Sequence, residues 1–431
     1  MKRLLTVIAT FALLAAACTS NGSSEPSGGP SGGKVTIEMW HGQIDIAAAA
    51  IKDLVDEFNA SHPDIEVVAS SGGTDTNDML PKVTTAIAAG TYPDIAYMYG
   101  SWGGNLITSP AIADITDAVA DPSVNWDDFW PAGRETATVN GQVIGFPAII
   151  DNLSVIYNKD LFDAAGVDYP SADWTWDDFR ATAKALTDPS KGIFGVNYPV
   201  SGSEDTTWRF WPFLWQAGGE VLSDDDSQAT FNTQAGINAL TLWQQMATVD
   251  KSVYLDPNDN KSEPVFLAGH LAMFVSGPWE VPVIQEANIN WGDQVMPSFD
   301  GTTHETISGP DLWAVFNQSP ERVQAAVTFL SWFSQPENQL VWMEAAGSLP
   351  IRESITQSPD YQKYLDAYPG IGAMVDNLGN ALHVRPAVTQ YPRISKAMGD
   401  AIASVLLGEA QPADALNAAA EQTNALLAVP G

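Results

Sequence analysis

Apolar positions along this chain repeat with two periods, and the alternation between them outlines an α/β protein. Val35-Thr36-Ile37-Glu38-Met39-Trp40 is a β-rich run ending at His41-Gly42. Ile51, Leu54, Val55 and Phe58 then recur at helical spacing, and Pro63 closes that helix. Ile65 to Ala69 reads as the next strand. A second helix carries Met79, Leu80, Val83 and Ile87, with Pro81 tolerable only in its first turn and Gly90 placed to cap its end. Pro93 to Met98 gives a third strand. Strands and helices alternating at this spacing predict a mainly parallel sheet with helices on its faces. Ligands of such sheets sit beyond the carboxyl ends of the strands. Here those ends are His41-Gly42-Gln43, Ser70 to Asp75, and Tyr99-Gly100-Ser101-Trp102.

The apolar run Phe146 to Ile150 is interrupted by Asp151 and resumes as Leu153 to Tyr157. A buried carboxylate needs partners, so an acid between two strand-like segments marks a crossing point or a site. A second unit is expected to begin there. Thr175 to Asp178 has the [ST]-x-x-[DE] form of a helix start, continued by Phe179, Ala183 and Leu186. Ile307 to Phe316 reads as a further strand, Pro320 to Phe333 as a helix, and Ser395 to Ala428 as Ala/Leu-rich helical sequence.

The chain begins differently. Lys2 and Arg3 precede an apolar run from Leu4 to Ala17, which is shorter than the roughly 20 residues a bilayer span takes. Its charge, length and small-residue end are those of an export signal. Ala15-Ala16-Ala17-Cys18 resembles the lipobox of bacterial lipoproteins, which implies that Cys18 becomes the lipidated first residue of the mature chain. Ordinary secretion with an incidental Cys is the alternative. Thr19 to Gly33 is nearly all Ser, Gly, Pro and Asn, a composition that cannot bury apolar surface and is expected to act as a flexible tether.

Charge narrows the function. The chain carries −33, and loss of Lys2 and Arg3 with residues 1–17 leaves −35. Binding to DNA, RNA or anionic lipid relies on clustered Lys and Arg, so a nucleic-acid role is excluded. The 431 residues exceed what one core normally supports, which makes two domains the expectation. Fifteen Trp residues, beside 11 Tyr and 16 Phe, exceed core needs and suggest a cleft that stacks rings on a ligand.

Motifs of catalysis fail on inspection. Gly28 to Lys34 matches G-x-x-x-x-G-K, but Val35 stands where a P-loop needs Ser or Thr, and the segment precedes a strand. Gly29 to Gly33 matches G-x-S-x-G without the strand-to-helix setting of a nucleophile elbow. No H-E-x-x-H occurs, and one Cys permits neither an internal disulfide nor a thiolate metal cluster. Asp224 to Asp226 and Asp256 to Glu263 lack EF-hand spacing and read as solvated loops. No cofactor or metal is expected. A glycosidase would need two carboxylates about 5–9 Å apart, which no sequence shows, and nothing singles out such a pair.

Six stretches, in order, resemble the extracellular solute-binding proteins of ABC transporters, in the sugar-binding group that includes maltose-binding protein. They are Val35 to Gly42 (VTIEMWHG), Ala89 to Met98 (AGTYPDIAYM), Leu153 to Phe162 (LSVIYNKDLF), Met273 to Trp279 (MFVSGPW), Ile307 to Val315 (ISGPDLWAV) and Ala346 to Arg352 (AGSLPIR). The resemblance implies a two-lobed, periplasmic-binding-protein-like α/β fold, each lobe a mainly parallel sheet flanked by helices, joined by a hinge that closes on ligand. It implies an N-terminal lobe of residues 34–150 and 309–341 and a C-terminal lobe of 151–308 and 342–431. Crossings are expected near Asp151, near Gly309 and around Val341 to Gly347.

The same resemblance supplies candidate ligand contacts. Trp279, after Gly277-Pro278, matches an aromatic that stacks on a sugar ring, and Trp208 a second ligand-facing aromatic. Asp151 matches an acid that accepts hydrogen bonds from sugar hydroxyls. Tyr99, Ser101 and Trp102 follow the third strand, and His41 and Gln43 the first. Asp311 and Trp313 lie in the Gly309 crossing, Arg352 follows Leu349-Pro350, and Arg385 and Tyr391 come from the late C-terminal segment. The expectation is a monomeric receptor, held outside the cell membrane by lipidated Cys18, that passes a neutral carbohydrate to permease subunits. A polyol or a phosphodiester-bearing solute is the alternative on the same architecture, to be marked by Arg352 and Arg385 pointing together into the cleft. A secreted glycosidase is the alternative from another class.

Overall fold

The strands that carry the two lobes are β1 (Val35–His41), β2 (Ile65–Ser71), β3 (Ile95–Tyr99), β4 (Gly145–Ile149), β5 (Ser154–Asn158), β6 (Val196–Pro199), β7 (Val253–Asp256), β8 (Met273–Ser276), β9 (Trp291–Gln294) and β10 (Asp311–Val315). The computed structural model describes residues 33–71, 76–259, 261–368, 370–383 and 385–429. The expected signal segment, Cys18, and the tether up to residue 32 lie outside the described residues, as do the loop positions 72–75.

The first lobe is a sheet in the order β2-β1-β3-β10-β4. β1 is parallel to β2 and β3, whereas β10 is antiparallel to β3 and β4. In the second lobe β5 is antiparallel to both neighbours, β8 and β9. Beside them β6 and β7 pair in parallel, and a parallel bridge between Phe194 and Leu271 ties that pair towards β8. Each lobe therefore has one reversed strand, and the reason is the same in both. The chain leaves the first lobe at the end of β4 and enters the second as β5; it returns through residues 308–310 and re-enters the first as β10. A strand entered from the crossing runs away from it, against the strands that finish there. The parallel reading holds for β1 with β2 and β3 and for β6 with β7, while β5 and β10 run against both of their neighbours.

Helices form where the apolar period is 3.6. α1 (Asp45–Ser61) buries Ile51, Leu54, Val55 and Phe58, and α2 (Met79–Ala89) ends at Gly90, whose φ of 70° is the left-handed cap that glycine adopts without strain. Thr175 and Asp178 form a reciprocal capping box at the start of the Trp176–Leu186 helix. α3 (Glu204–Gln216), α4 (Pro320–Phe333) and α5 (Pro336–Ala346) follow. The Ala/Leu-rich terminus is two helices, Tyr391–Leu406 and Pro412–Leu427.

Burial on both faces explains the continuous apolar strands. Along β3 and β10, Ile95, Tyr97, Trp313 and Val315 join one apolar cluster with α1 and α4, while Ala96, Met98, Leu312 and Ala314 join another with Met79 and Val83 of α2. The alternation is the period of two that a strand imposes. α5 packs on α1, and its Trp342 Nε1 donates to Ala148 O at 2.9 Å. From there the same cluster runs through Tyr361, Tyr364, Ile371 and Met374 to Ile156 and Phe274 of the second lobe.

Candidate functional site

Strand geometry divides the two crossing segments between two cavities. Ile149, Asp151, Gly309 and Asp311 line a cleft of about 450 Å³, whereas Ile150, Ser308 and Pro310 line a separate cavity of about 620 Å³. Successive residues of an extended chain point to opposite sides, so the crossings form a shared wall. The cleft lies at the carboxyl end of the first sheet, where Gly42, Gln43 and Tyr99 follow β1 and end β3.

α3 supplies the opposite wall. Ser203 caps it, and its first turns bring Glu204, Asp205, Trp208 and Arg209 into the cleft. Glu204 and Trp208, like Asp205 and Arg209, are four residues apart and therefore share a face. Arg209 Nε donates to Asp205 Oδ2 at 2.8 Å. Trp279 stands just beyond β8 on the turn Pro278–Glu280, with its Nε1 donating to Glu280 Oε1 at 2.9 Å. The turn is held by Gly347 at the end of α5, where a Cβ would lie 2.4 Å from Trp279 Cα. The Trp208 and Trp279 rings are 5.6 Å apart and inclined at 52°.

The polar groups are tightly arranged. Asp151 Oδ1 accepts the Gly309 N–H at 2.8 Å, and Asp311 Oδ2 accepts the Tyr97 hydroxyl at 2.8 Å. Arg385 Nη1 donates to Glu204 Oε1 at 3.1 Å, and Glu204 also accepts from Tyr391 and Ser395. Burial pushes the Asp151 carboxyl up to about 7 against the pull of the Gly309 N–H and Arg385. Burial and the neighbouring Asp151 hold Asp311 well above the usual carboxylate range. Burial with Glu263 nearby raises Glu280 to about 8, and burial with Asp205 nearby raises Asp259 to about 7. Acids that hold protons near neutrality present an O–H donor beside an acceptor, which matches a hydroxyl group at either end. Trp208 is 7% exposed, and its buried Nε1 has no partner among the described residues. An unpaired buried N–H is costly, so this edge awaits an acceptor.

Seven of the expected contacts meet in the cleft: Trp279, Trp208, Asp151, Tyr99, Asp311, Gln43 and Arg385. The other six are elsewhere. Trp313 is in the first lobe's core against Tyr97, Phe333 and Trp342, because it and Val315 share the β10 face that packs on α4. Arg352 is 2% exposed and braces two segments: it donates to Ser334 O at 2.6 Å and to Asn125 O and Val124 O at 3.1 Å, with Asp128 Oδ2 at 3.4 Å. His41 is buried, its pKa lowered by burial, and does not line the cleft. Tyr391 stands one layer behind Glu204 and also accepts the Trp211 N–H at 3.0 Å. Ser101 lines the cavity behind the crossings. Trp102 packs on Tyr99 at 4.6 Å and borders an outer trough that shares Asn77, Glu204 and Asp259 with the cleft.

Sequence reasoning missed most of the acids, namely Asp45, Glu204, Asp205, Asp259, Glu263 and Glu280, together with Arg209. Glu204 was within reach, since it precedes Trp208 by one helical turn. Glu280 follows Trp279 directly. Asp259 and Glu263 arrive from a loop and a short helix that only the tertiary fold brings to the cleft.

Comparison with known proteins agrees with this architecture. The profile of the bacterial extracellular solute-binding protein family matches residues 53–368. The crystal structure of a cyclic alpha-maltosyl-1,6-maltose binding protein from Arthrobacter globiformis superposes with a TM-score of 0.76 at 30% identity, covering 92% of this chain and 99% of that one. An ABC substrate-binding protein from Listeria monocytogenes in complex with cycloalternan gives 0.82 at 28% identity, covering 92% and 100%. The sn-glycerol-3-phosphate-binding periplasmic protein UgpB of Escherichia coli (strain K12) is 24% identical over 412 residues, 91% of this chain and 92% of that one.

Proposed function

The chain belongs to the bacterial extracellular solute-binding protein family, and on that premise we propose that it captures a hydroxyl-rich solute of the carbohydrate class and hands it unaltered to the permease of an ABC importer. The observation that carries this reading is the cleft itself: two inclined indoles, Trp208 and Trp279, facing carboxyls that donate and accept. Sugar C–H faces lie on aromatic rings while hydroxyl edges need such partners. The similarity to proteins that bind cyclic alpha-maltosyl-1,6-maltose and cycloalternan supports the same class.

The relative that binds sn-glycerol-3-phosphate draws attention to the cleft arginines. Arg352 is not among them. Arg385 and Arg209 are, but each is already paired, with Glu204 and Asp205. A phosphate would have to displace those carboxylates, so a solute without one is favoured.

In this reading the lobes close by population shift, because a ligand touching both walls binds the closed state better. We read the lobes as 34–150 with 309–341 and 151–308 with 342–431; the packing of α5 on α1 supports moving the third crossing to after Ala346. The protein acts outside the cytoplasm, as a monomer held to the membrane by lipidated Cys18, and breaks no bond. A thermal-shift screen against mono- and oligosaccharides, polyols and glycerol 3-phosphate tests the reading, since a ligand of the native state raises the melting temperature. Stabilisation by a sugar is expected; a response to glycerol 3-phosphate alone would replace the reading. Prolonged incubation with the stabilising sugar should release no product.

A further inference from the structure

The cleft is far more acidic than a neutral guest requires. Its described lining contains eight carboxylates and two arginines, and both arginines are spent on ion pairs. Asp45, from the start of α1, lines the cleft together with Glu263 and Glu280 of the other lobe, near enough that Asp45 raises the affinity of Glu263 for protons and Glu263 that of Glu280. Among the described residues no Lys or Arg forms an ion pair with Asp45 or Glu263. Glu280 takes both of its hydrogen bonds, from Ser276 Oγ at 2.8 Å and Trp279 Nε1 at 2.9 Å, on Oε1. Glu280 bonds the Trp279 indole, and the Arg209 guanidinium already lies 5.9 Å from the centroid of that ring. The unpartnered Trp208 Nε1 in the same cleft asks for an oxygen. The cleft thus calls for an acceptor beside Trp208 and for a positive charge beside its unpaired acids.

We propose that the solute carries a protonated amine as well as hydroxyls, as an amino sugar or an aminated oligosaccharide does, and that Asp45, Glu263 and Glu280 receive the amine. This rests on the carbohydrate reading above and narrows it. An ammonium between lobes also removes a reason for them to stay apart: the like charges of Asp45 and Glu263 oppose one another until a cation bridges them. The Glu280 carboxyl, raised by burial and Glu263 against the pull of Arg209, then gives up its proton on binding.

Calorimetric titration of the protein with matched pairs tests this, using hexoses against their 2-amino-2-deoxy counterparts and cellobiose against the glucosamine disaccharide of the same linkage. The aminated member is expected to bind at least about tenfold tighter. The gap should shrink as salt rises from about 0.02 to about 0.5 M. Repeating the titration near pH 7 in buffers of different ionisation enthalpy should show proton release with the aminated member only. Glu263→Gln should bring the ratio of the two affinities towards one. Equal or tighter binding of the neutral members overturns the amine assignment and leaves the carbohydrate reading standing. Absence of binding by every sugar of both kinds overturns the two together.

Discussion

The Gly309 N–H reaches Asp151 Oδ1 at 2.8 Å, tying the segment by which the chain leaves the first lobe to the one by which it returns. Both residues line the cleft, so the proposed ligand floor and hinge share these two crossing segments. A change at either position acts on affinity and on lobe movement together.

A methyl group on Gly309 would be crowded by cleft side chains. A Cβ there would lie 3.1 Å from Asp151 Oδ1, 3.2 Å from Trp208 Cζ2 and 3.3 Å from Arg385 Nη2. Gly309→Ala should weaken ligand binding by about 1–3 kcal/mol through crowding of the floor. Calorimetry of wild type and variant against the same ligand measures it; an unchanged Kd would remove Gly309 from the floor.

Trp279 is only partly buried and carries its indole into the cleft. Trp279→Ala should cost about 2–4 kcal/mol of binding, the range of a buried aromatic anchor. The melting temperature of the ligand-free protein should move far less than the affinity. The reverse ratio would make Trp279 a structural residue.

Arg352 should behave in the opposite way. Its guanidinium stacks 3.8 Å from the Phe129 ring and bonds three carbonyls of two segments away from the cleft. Arg352→Met leaves those carbonyls unpaired and should destabilise the fold by about 3–5 kcal/mol. Urea unfolding reads the loss, and the variant that still folds should keep the wild-type Kd.

Stability should fall between pH 5 and 8. Asp151 and Asp259 titrate at about 7 in the folded protein, and Glu280 and Asp293 at about 8, each raised chiefly by burial. The unfolded chain releases these protons near pH 4, so through this window the folded state binds more protons and loses stability as pH rises. Each group contributes up to about 1.4 kcal/mol per pH unit while it titrates. Melting temperatures of the ligand-free protein measured from pH 5 to 8 should therefore decline. Asp293 accepts from Ser154 outside the cleft, so Asp293→Asn should flatten part of that decline without abolishing binding. A curve that rises over this range would sink the assignment.

Much of this protein was decided locally. The helical spacing in Ile51 to Phe58, the stop at Gly90, the box at Thr175 and Asp178 and the helix Pro320–Phe333 each depend on neighbours in sequence, and each is found where the pattern puts it. Asp151 announced a crossing because a lone acid inside an apolar run needs distant partners, and Trp279 followed a strand end of the kind that faces a cleft. The face that a residue turns to its surroundings was a different matter. Trp313 and Asp311 sit two positions apart on one strand, yet the indole is core and the carboxyl is cleft, because the cleft begins only where β10 does. Arg352, which the resemblance put at the ligand, braces loops instead, and Arg209, which no sequence signal marked, lines the cleft, since a guanidinium binds whatever carbonyls or carboxylates the fold delivers to it. The gathering of Asp45, Glu204, Asp259, Glu263 and Glu280 joins residues from both lobes over more than two hundred positions. Periodicity is a property of adjacent residues, whereas a cleft between lobes is made where separate strands happen to end, and only packing fixes that.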